Sequence, residues 1–321
     1  MRELPDGWSV RRPTMADVPA ILAVVHASDI ASVGEPDFTA DEVVEVLQSP
    51  NLDPQLDSWL AVDDQDRVVG WAFVDNPLRS ERELFDNYVH PEHGTAAQGP
   101  LLDRVLARIA ERARETGRPT LTARGGAIAS ETHYLALLRE AGFEFVKRYA
   151  RMRIELTGSE RPPAIPEGTT IRLLDHEDEA ELRTFHQVLD VAFRDTPDYQ
   201  ASTYEQYRER LDALPGIDWD EWFVAEVEGR VAAILQSAGQ VAEQDEGWVK
   251  YLAVEKEYRG RGLGRLLLLT AFATYAGKGR WAAGLGVDLT NPTGAYRLYE
   301  SVGMRPAYEA DIYERTVAAS P

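Results

Sequence analysis

Val249-Lys250-Tyr251-Leu252-Ala253-Val254-Glu255-Lys256-Glu257-Tyr258-Arg259-Gly260-Arg261-Gly262-Leu263-Gly264-Arg265-Leu266-Leu267-Leu268-Leu269 is the segment from which the chain can be read. An apolar strand runs into a glycine-rich turn, and the turn opens a strongly apolar helix. Free backbone N–H groups and the positive end of the helix dipole therefore converge at one spot, which suits an anion. Gly260, Gly262 and Gly264 let the backbone approach phosphate oxygens closely, while Arg259, Arg261 and Arg265 add positive charge. A tight strand-to-helix connection would account for the glycines but not for the arginines. The dinucleotide fingerprint has a different glycine spacing, and the P-loop needs a Gly-Lys-Ser/Thr that is absent.

Outward from this segment the chain repeats itself. Trp8-Ser9-Val10-Arg11 and a following apolar-periodic helix are answered by Thr170-Ile171-Arg172-Leu173-Leu174 and a helix through Leu182, Phe185, Val188 and Leu189. The hairpin of Trp59–Val62 and Val68–Val74 recurs as Trp222–Ala225 and Val231–Leu235. Asn87-Tyr88-Val89 matches Leu252-Ala253-Val254, and Leu137–Phe143 matches Leu298–Met304. Subtracting the numbers gives one period, from 171 − 10 = 161 to 252 − 87 = 165. A repeat this long is a duplicated domain, not a solenoid unit. Strands, an antiparallel hairpin and intervening helices predict an α/β (α+β) fold in each copy, with a mixed sheet covered on both faces. Expected boundaries are 1–157 for the first domain, a Pro-rich linker at 158–168, and 169–321 for the second.

Composition narrows the function. The chain has 34 Lys plus Arg against 54 Asp plus Glu, a net charge of −20, and no basic tract. Each half carries the same share: residues 1–160 hold 17 basic and 27 acidic residues, leaving 34 − 17 = 17 and 54 − 27 = 27 for the rest. Nucleic acid and anionic membranes are poor partners for such a surface. With no Cys, disulfides, Cys-ligated metal and a cysteine nucleophile are excluded. No uncharged apolar run reaches signal-peptide or membrane-spanning length, so a cytoplasmic protein, monomeric or homodimeric, is expected.

The quoted segment resembles the pyrophosphate loop of the GCN5-related N-acetyltransferases (GNAT), whose pattern Gln/Arg-x-x-Gly-x-Gly/Ala is met by Arg259, Gly262 and Gly264. A second family segment is matched by Asn291-Pro292-Thr293-Gly294-Ala295-Tyr296-Arg297-Leu298-Tyr299-Glu300-Ser301-Val302-Gly303-Met304. The resemblance implies an acetyl-CoA site in the second copy, formed by Leu252, Ala253, Val254, Arg259, Gly260, Arg261, Gly262, Leu263, Gly264, Arg265 and Asn291. It implies a V-shaped opening between the strand containing Leu252 and the strand around Leu285-Gly286-Val287. The Leu252 backbone N–H would polarise the thioester carbonyl, and Tyr299 would protonate the departing thiolate. Asn291 reads equally well as a helix N-cap. For a general base, Glu246 is the choice from the acidic run Glu243, Asp245 and Glu246. The acceptor would be the amine of a small molecule, bound near Phe193–Tyr199 and Tyr204–Leu214.

The first copy has lost this equipment. At the offset of 165, Gly94-Thr95-Ala96-Ala97-Gln98-Gly99 stands opposite Arg259–Gly264; at 161, Leu138 replaces Tyr299 and Ser130 replaces Asn291. A degenerate copy followed by an intact one resembles the tandem architecture of the actinobacterial mycothiol synthases. Those enzymes carry Gly-Glu-Val where this chain has Gly247-Trp248-Val249, which points to a related acetyltransferase with another acceptor as readily as to the same one. A CoA-binding regulatory module and an acetyltransferase for a protein or peptide amine are the alternatives.

Overall fold

The computed structural model describes residues 2–77, 79–194, 196, 199, 201–214, 216–239, 245–290 and 294–320. The elements run β1 (Ser9–Arg11), α1 (Val18–Val33), α2 (Ala40–Leu47), α3 (Pro54–Asp57), β2 (Ser58–Val62), β3 (Val68–Asp75), β4 (Arg82–Val89), α4 (Thr95–Glu115), β5 (Thr120–Ile128), α5 (Thr132–Glu140) and β6 (Glu144–Glu155). They continue with β7 (Thr169–Leu173), α6 (Glu179–Phe193), α7 (Tyr204–Ala213), β8 (Phe223–Val227), β9 (Arg230–Ala238), β10 (Glu246–Val254), α8 (Leu263–Gly277), β11 (Ala282–Asp288), α9 (Ala295–Ser301) and β12 (Arg305–Ala318). The repeat seen in the sequence is thus a repeat of elements, a mixed α/β arrangement in each copy.

The chain forms two compact units, residues 1–148 with 308–321, and Tyr149–Ala307. These differ from the contiguous halves expected from the repeat. In unit 1 the strand order is β1-β2-β3-β4-β5-β12, and in unit 2 it is β6-β11-β10-β9-β8-β7. The closing strand of each copy therefore serves the other unit: Ala310–Ala318 of β12 pair antiparallel with β5, and Tyr149–Glu155 of β6 pair antiparallel with β11. The Pro-rich stretch 158–168 contains neither helix nor strand, in keeping with prolines that cannot donate to a ladder.

The strands of each unit carry helices on both faces. In unit 1, α4 packs Leu101, Leu102, Val105 and Ile109 against one face, while Ile21 and Val25 of α1 with Val43 and Leu47 of α2 cover Leu60 and Trp71 on the other. In unit 2, α8 places Leu267, Leu268, Ala271 and Tyr275 on Val249, Ala283 and Leu285; Leu182, Phe185 and Leu189 of α6 and Tyr207 of α7 cover Ile234 and Ala253. The stretch Met15–Val33 is long and apolar enough to cross a membrane by length and composition. It nevertheless carries Asp17 and Asp29, and its Ile21, Val24 and Val25 lie in the core of unit 1.

A pair of parallel strands diverges at the same place in each unit. β4 pairs with β5 only from Arg82 to Phe85, and β10 pairs with β11 only from Glu246 to Trp248. Beyond these residues the strands separate, which opens the sheet in mid-strand.

Candidate active site

In unit 2 the diverging strands border a cleft of about 740 Å³. β10 runs antiparallel to β9 with a bulge after Val249, and Glu255 N–H donates to Ala232 C=O on β9 at 2.9 Å. Backbone groups of successive strand residues point to opposite sides. The N–H and C=O of Leu252 and Val254 consequently face away from β9, towards the gap left by β11. Arg259 Nε donates to the Val254 carbonyl at 3.1 Å, tying the turn to the strand, and its Nη2 reaches Ala192 C=O at 3.4 Å.

The turn after β10 needs its glycines. Gly260 and Gly262 have φ of +78° and +81°, a left-handed conformation costly for a side chain with a Cβ. Gly262 is the N-cap of α8 without a side-chain cap, and the helix's first hydrogen bond is Leu266 N–H to Gly262 C=O. The N–H groups of Leu263, Gly264 and Arg265 thus have no acceptor within the helix and open on the same cleft. At Gly264 an added Cβ would lie 3.0 Å from Leu298 Cδ2, so glycine also lets α9 pack closely. Oriented N–H groups, a helix N-terminus and two cleft-lining arginines suit the pyrophosphate of acetyl-CoA, and the strand gap suits its extended arm.

Tyr299 lies on α9 and lines the cleft. The side chain is 9% exposed, and burial pushes its hydroxyl up to about 12. The hydroxyl keeps its proton at neutral pH and can donate it.

The cleft brings together Leu252, Ala253, Val254, Arg259, Gly260, Gly262, Leu263, Gly264, Arg265 and Tyr299 of the residues expected from the sequence. Arg261 is exposed and absent from the lining; its guanidinium lies over the Tyr258 ring, 5.1 Å from the centroid. Asn291 and Glu243 fall outside the described residues. Glu246 stands apart from the cleft lining. It is 1% exposed at the start of β10 and is held by Arg151 of β6 at 3.1 Å, while Arg151 also lies over the Trp248 ring. Gly284 on β11 makes the room: a Cβ there would come within 2.2 Å of Glu246 Oε1. An enclosed, ion-paired carboxylate is badly placed to take a proton from a substrate amine.

On the side towards α6, the cleft is aromatic. Tyr251 meets Phe193 edge-on at 5.9 Å, and Phe193 lies 5.8 Å from Tyr199, whose hydroxyl donates to Asp190 at 3.4 Å. Burial, with the Asp190 charge next, raises the Tyr199 hydroxyl to about 12. By contrast, among the described residues none of α7 lines the cleft; Tyr204, Tyr207 and Leu211 turn inward to the core. Tyr149, Tyr251 and Asp288 belong to the lining but were not singled out from the sequence. For Tyr251 a signal existed, since it alternates with Leu252 and must face the opposite side of the sheet.

Comparisons with known proteins agree with this geometry. The profile of the Acetyltransferase (GNAT) domain matches residues 218–305. A mycothiol acetyltransferase of Thermobispora bispora is 30% identical over 300 residues, covering 91% of this chain and 94% of that protein. The crystal structure of a GCN5-related N-acetyltransferase from Sphaerobacter thermophilus superposes with a TM-score of 0.85 at 26% identity, over 99% of this chain and 98% of the other. A tandem GNAT protein from the clavulanic acid biosynthesis pathway shares the fold, with a TM-score of 0.72 at 16% identity over 98% and 99% of the two chains. The chain belongs to the tandem GCN5-related N-acetyltransferase family that includes the mycothiol acetyltransferases, and it is an N-acetyltransferase.

Proposed function

We propose that unit 2 seats acetyl-CoA in the cleft between β10 and β11 and passes the acetyl group directly to a primary amine of a small molecule. The observation that carries this reading is the convergence, in one cleft, of the free N–H groups after Gly262, the gap-facing Leu252 N–H and the Tyr299 hydroxyl. Acetyl-CoA supplies an acetyl group activated as a thioester. Gly262, Leu263, Gly264, Arg259 and Arg265 would hold its pyrophosphate. The Leu252 N–H stands ready to donate to a carbonyl oxygen, where developing negative charge is stabilised by a fixed dipole that needs no reorganisation. Tyr299 holds the proton that a leaving thiolate requires, since its hydroxyl is less acidic than a thiol.

Phe193, Tyr199 and Tyr251 supply an apolar wall on the acceptor side, which favours an amine attached to a body with an apolar or sugar-ring face. The mycothiol acetyltransferase relatives make a mycothiol-related amine one acceptor to test. The first copy, residues 1–157, contributes no turnover in this reading, because Gly94 and Leu138 stand where Arg259 and Tyr299 do the work. A thiol-release assay with acetyl-CoA over a panel of amines tests the proposal. Amine-dependent release of CoA with an N-acetylated product is expected. Tight acetyl-CoA binding with no turnover on any amine would point to the CoA-binding module instead.

A further inference from the structure

Unit 1 contains a cavity of about 210 Å³ where β4 diverges from β5. Four carboxylates line it: Asp29 from α1, Asp37 from the segment after α1, Asp86 from β4, and Glu131 just before α5. Neither Lys, Arg nor His is among the lining residues. Three of the carboxylates have neutral donors: Asp29 accepts from Asp37 N–H at 3.0 Å, Glu131 from Ile128 N–H at 2.7 Å, and Asp37 from the Tyr308 hydroxyl. Asp86 makes no hydrogen bond or ion pair to a described residue.

A second feature is independent of the acidic residues. Tyr134 lines the same cavity, is 3% exposed, and its hydroxyl is buried without a hydrogen-bond partner. Leaving such a group unmet costs free energy, so a ligand that satisfies it would gain affinity. Tyr88 presents an aromatic ring beside Asp86, a surface that favours cations over anions.

The duplicated copy shows what this arrangement lacks. Asp190 in α6 is the counterpart of Asp29, 190 − 29 = 161 residues later, and it is paired with Arg194 at 2.7 Å. At the position equivalent to Arg194 the first copy has Val33. The arginine that neutralises this aspartate in unit 2 thus has no counterpart in unit 1, where the basic side chain facing Asp29 is the imidazole of His26.

We infer that the unit 1 cavity is a binding site for a small organic cation bearing a primary ammonium group, taken up as a ligand and not as an acetyl acceptor. An ammonium donating to Asp86 would also stand in the field of Glu131 and Asp29, and its carbon stem suits the ring of Tyr88. A metal ion fits less well, because no group of three or more His, Asp or Glu among the described residues is arranged to hold one. Burial and adjacent negative charge lift the Asp29 and Asp86 carboxyls to about 6, as expected for anions awaiting a counterion.

Calorimetric titration of the full chain with putrescine at about pH 7.5 tests the assignment, with Asp86→Asn and Tyr134→Phe beside the wild type. Putrescine should bind the wild type with a Kd below ~1 mM. Asp86→Asn should weaken it at least tenfold and Tyr134→Phe about threefold, while both variants melt no lower than wild type and keep wild-type acetyl-CoA affinity. The last two readouts report an intact fold and an undisturbed unit 2. Absence of putrescine binding by the wild type overturns the inference, as does equal affinity in Asp86→Asn and a further Glu131→Gln variant. Saturable magnesium binding that putrescine cannot displace would assign the cavity to a metal ion and likewise overturn it.

Discussion

Arg151 Nη2 lies 3.1 Å from Glu246 Oε2, and the two side chains, 8% and 1% exposed, form a buried ion pair linking β6 to the first residue of β10. Removing one member of such a pair leaves the other charge in the interior. Glu246→Ala should therefore destabilise unit 2 by about 3–5 kcal/mol, readable as a fall in the denaturation midpoint. Glu246→Gln should leave the pH–rate profile unchanged in shape. Loss of the acidic limb in that variant would restore Glu246 as the general base.

Gly262→Asp should abolish tight acetyl-CoA binding. The substitution forces a side chain into φ of +81° and sets a negative charge beside the helix N-terminus proposed as the pyrophosphate seat. Calorimetry is the check, and unchanged affinity would move the cofactor site elsewhere.

Tyr299→Phe deletes the proton donor while keeping the ring. Turnover should fall roughly 10²- to 10⁴-fold with little change in KM or stability. Because the hydroxyl sits at about 12, the wild-type rate should hold through about pH 10 and drop only beyond it. Near-normal turnover in the variant would make Tyr299 a packing residue.

Gly247→Ala should destabilise without touching the cleft. A Cβ at Gly247 would fall 2.3 Å from Tyr275 Cδ2, and Tyr275 cannot yield because its hydroxyl is bonded to Ser237 at 2.5 Å in the core. Overpacking of this kind costs about 1–3 kcal/mol. A melting temperature equal to wild type would show that α8 shifts freely.

Unit 1 should lose stability as pH rises from about 4 to 7. Asp29, which faces Asp37, His26 and Glu42, and Asp86, which faces Glu131 and Asp29, both titrate at about 6 in the fold against an ordinary 3.8. A carboxyl raised in this way favours the protonated fold, so its contribution is full below the ordinary value and disappears as pH passes about 6. Asp86→Asn should flatten the pH dependence of the melting temperature over this range. An unaltered slope in the variant would contradict the assignment of Asp86 as one of its sources.

The duplication, the α/β character of each copy and the anion-binding turn were legible in the residues because each rests on local rules. Gly262 must start α8 in a left-handed turn, and Leu252 must alternate with Tyr251, whatever the rest of the chain does. The exchange of β6 and β12 was not legible, since the alternation of a strand states which face is buried but not which distant edge it will join. Glu246 reads along the chain as a candidate base because its partner, Arg151, stands 95 residues away in sequence. The same holds for Asp29, Asp37, Asp86 and Glu131: along the chain each looks like an ordinary surface charge, and only the folding of α1, β4 and the approach to α5 around one gap sets them on a single cavity. Sequence by itself determined the local backbone chemistry and the family of folds it permits; tertiary structure decided the pairings between distant segments, because burial and electrostatic contact depend on distance in space.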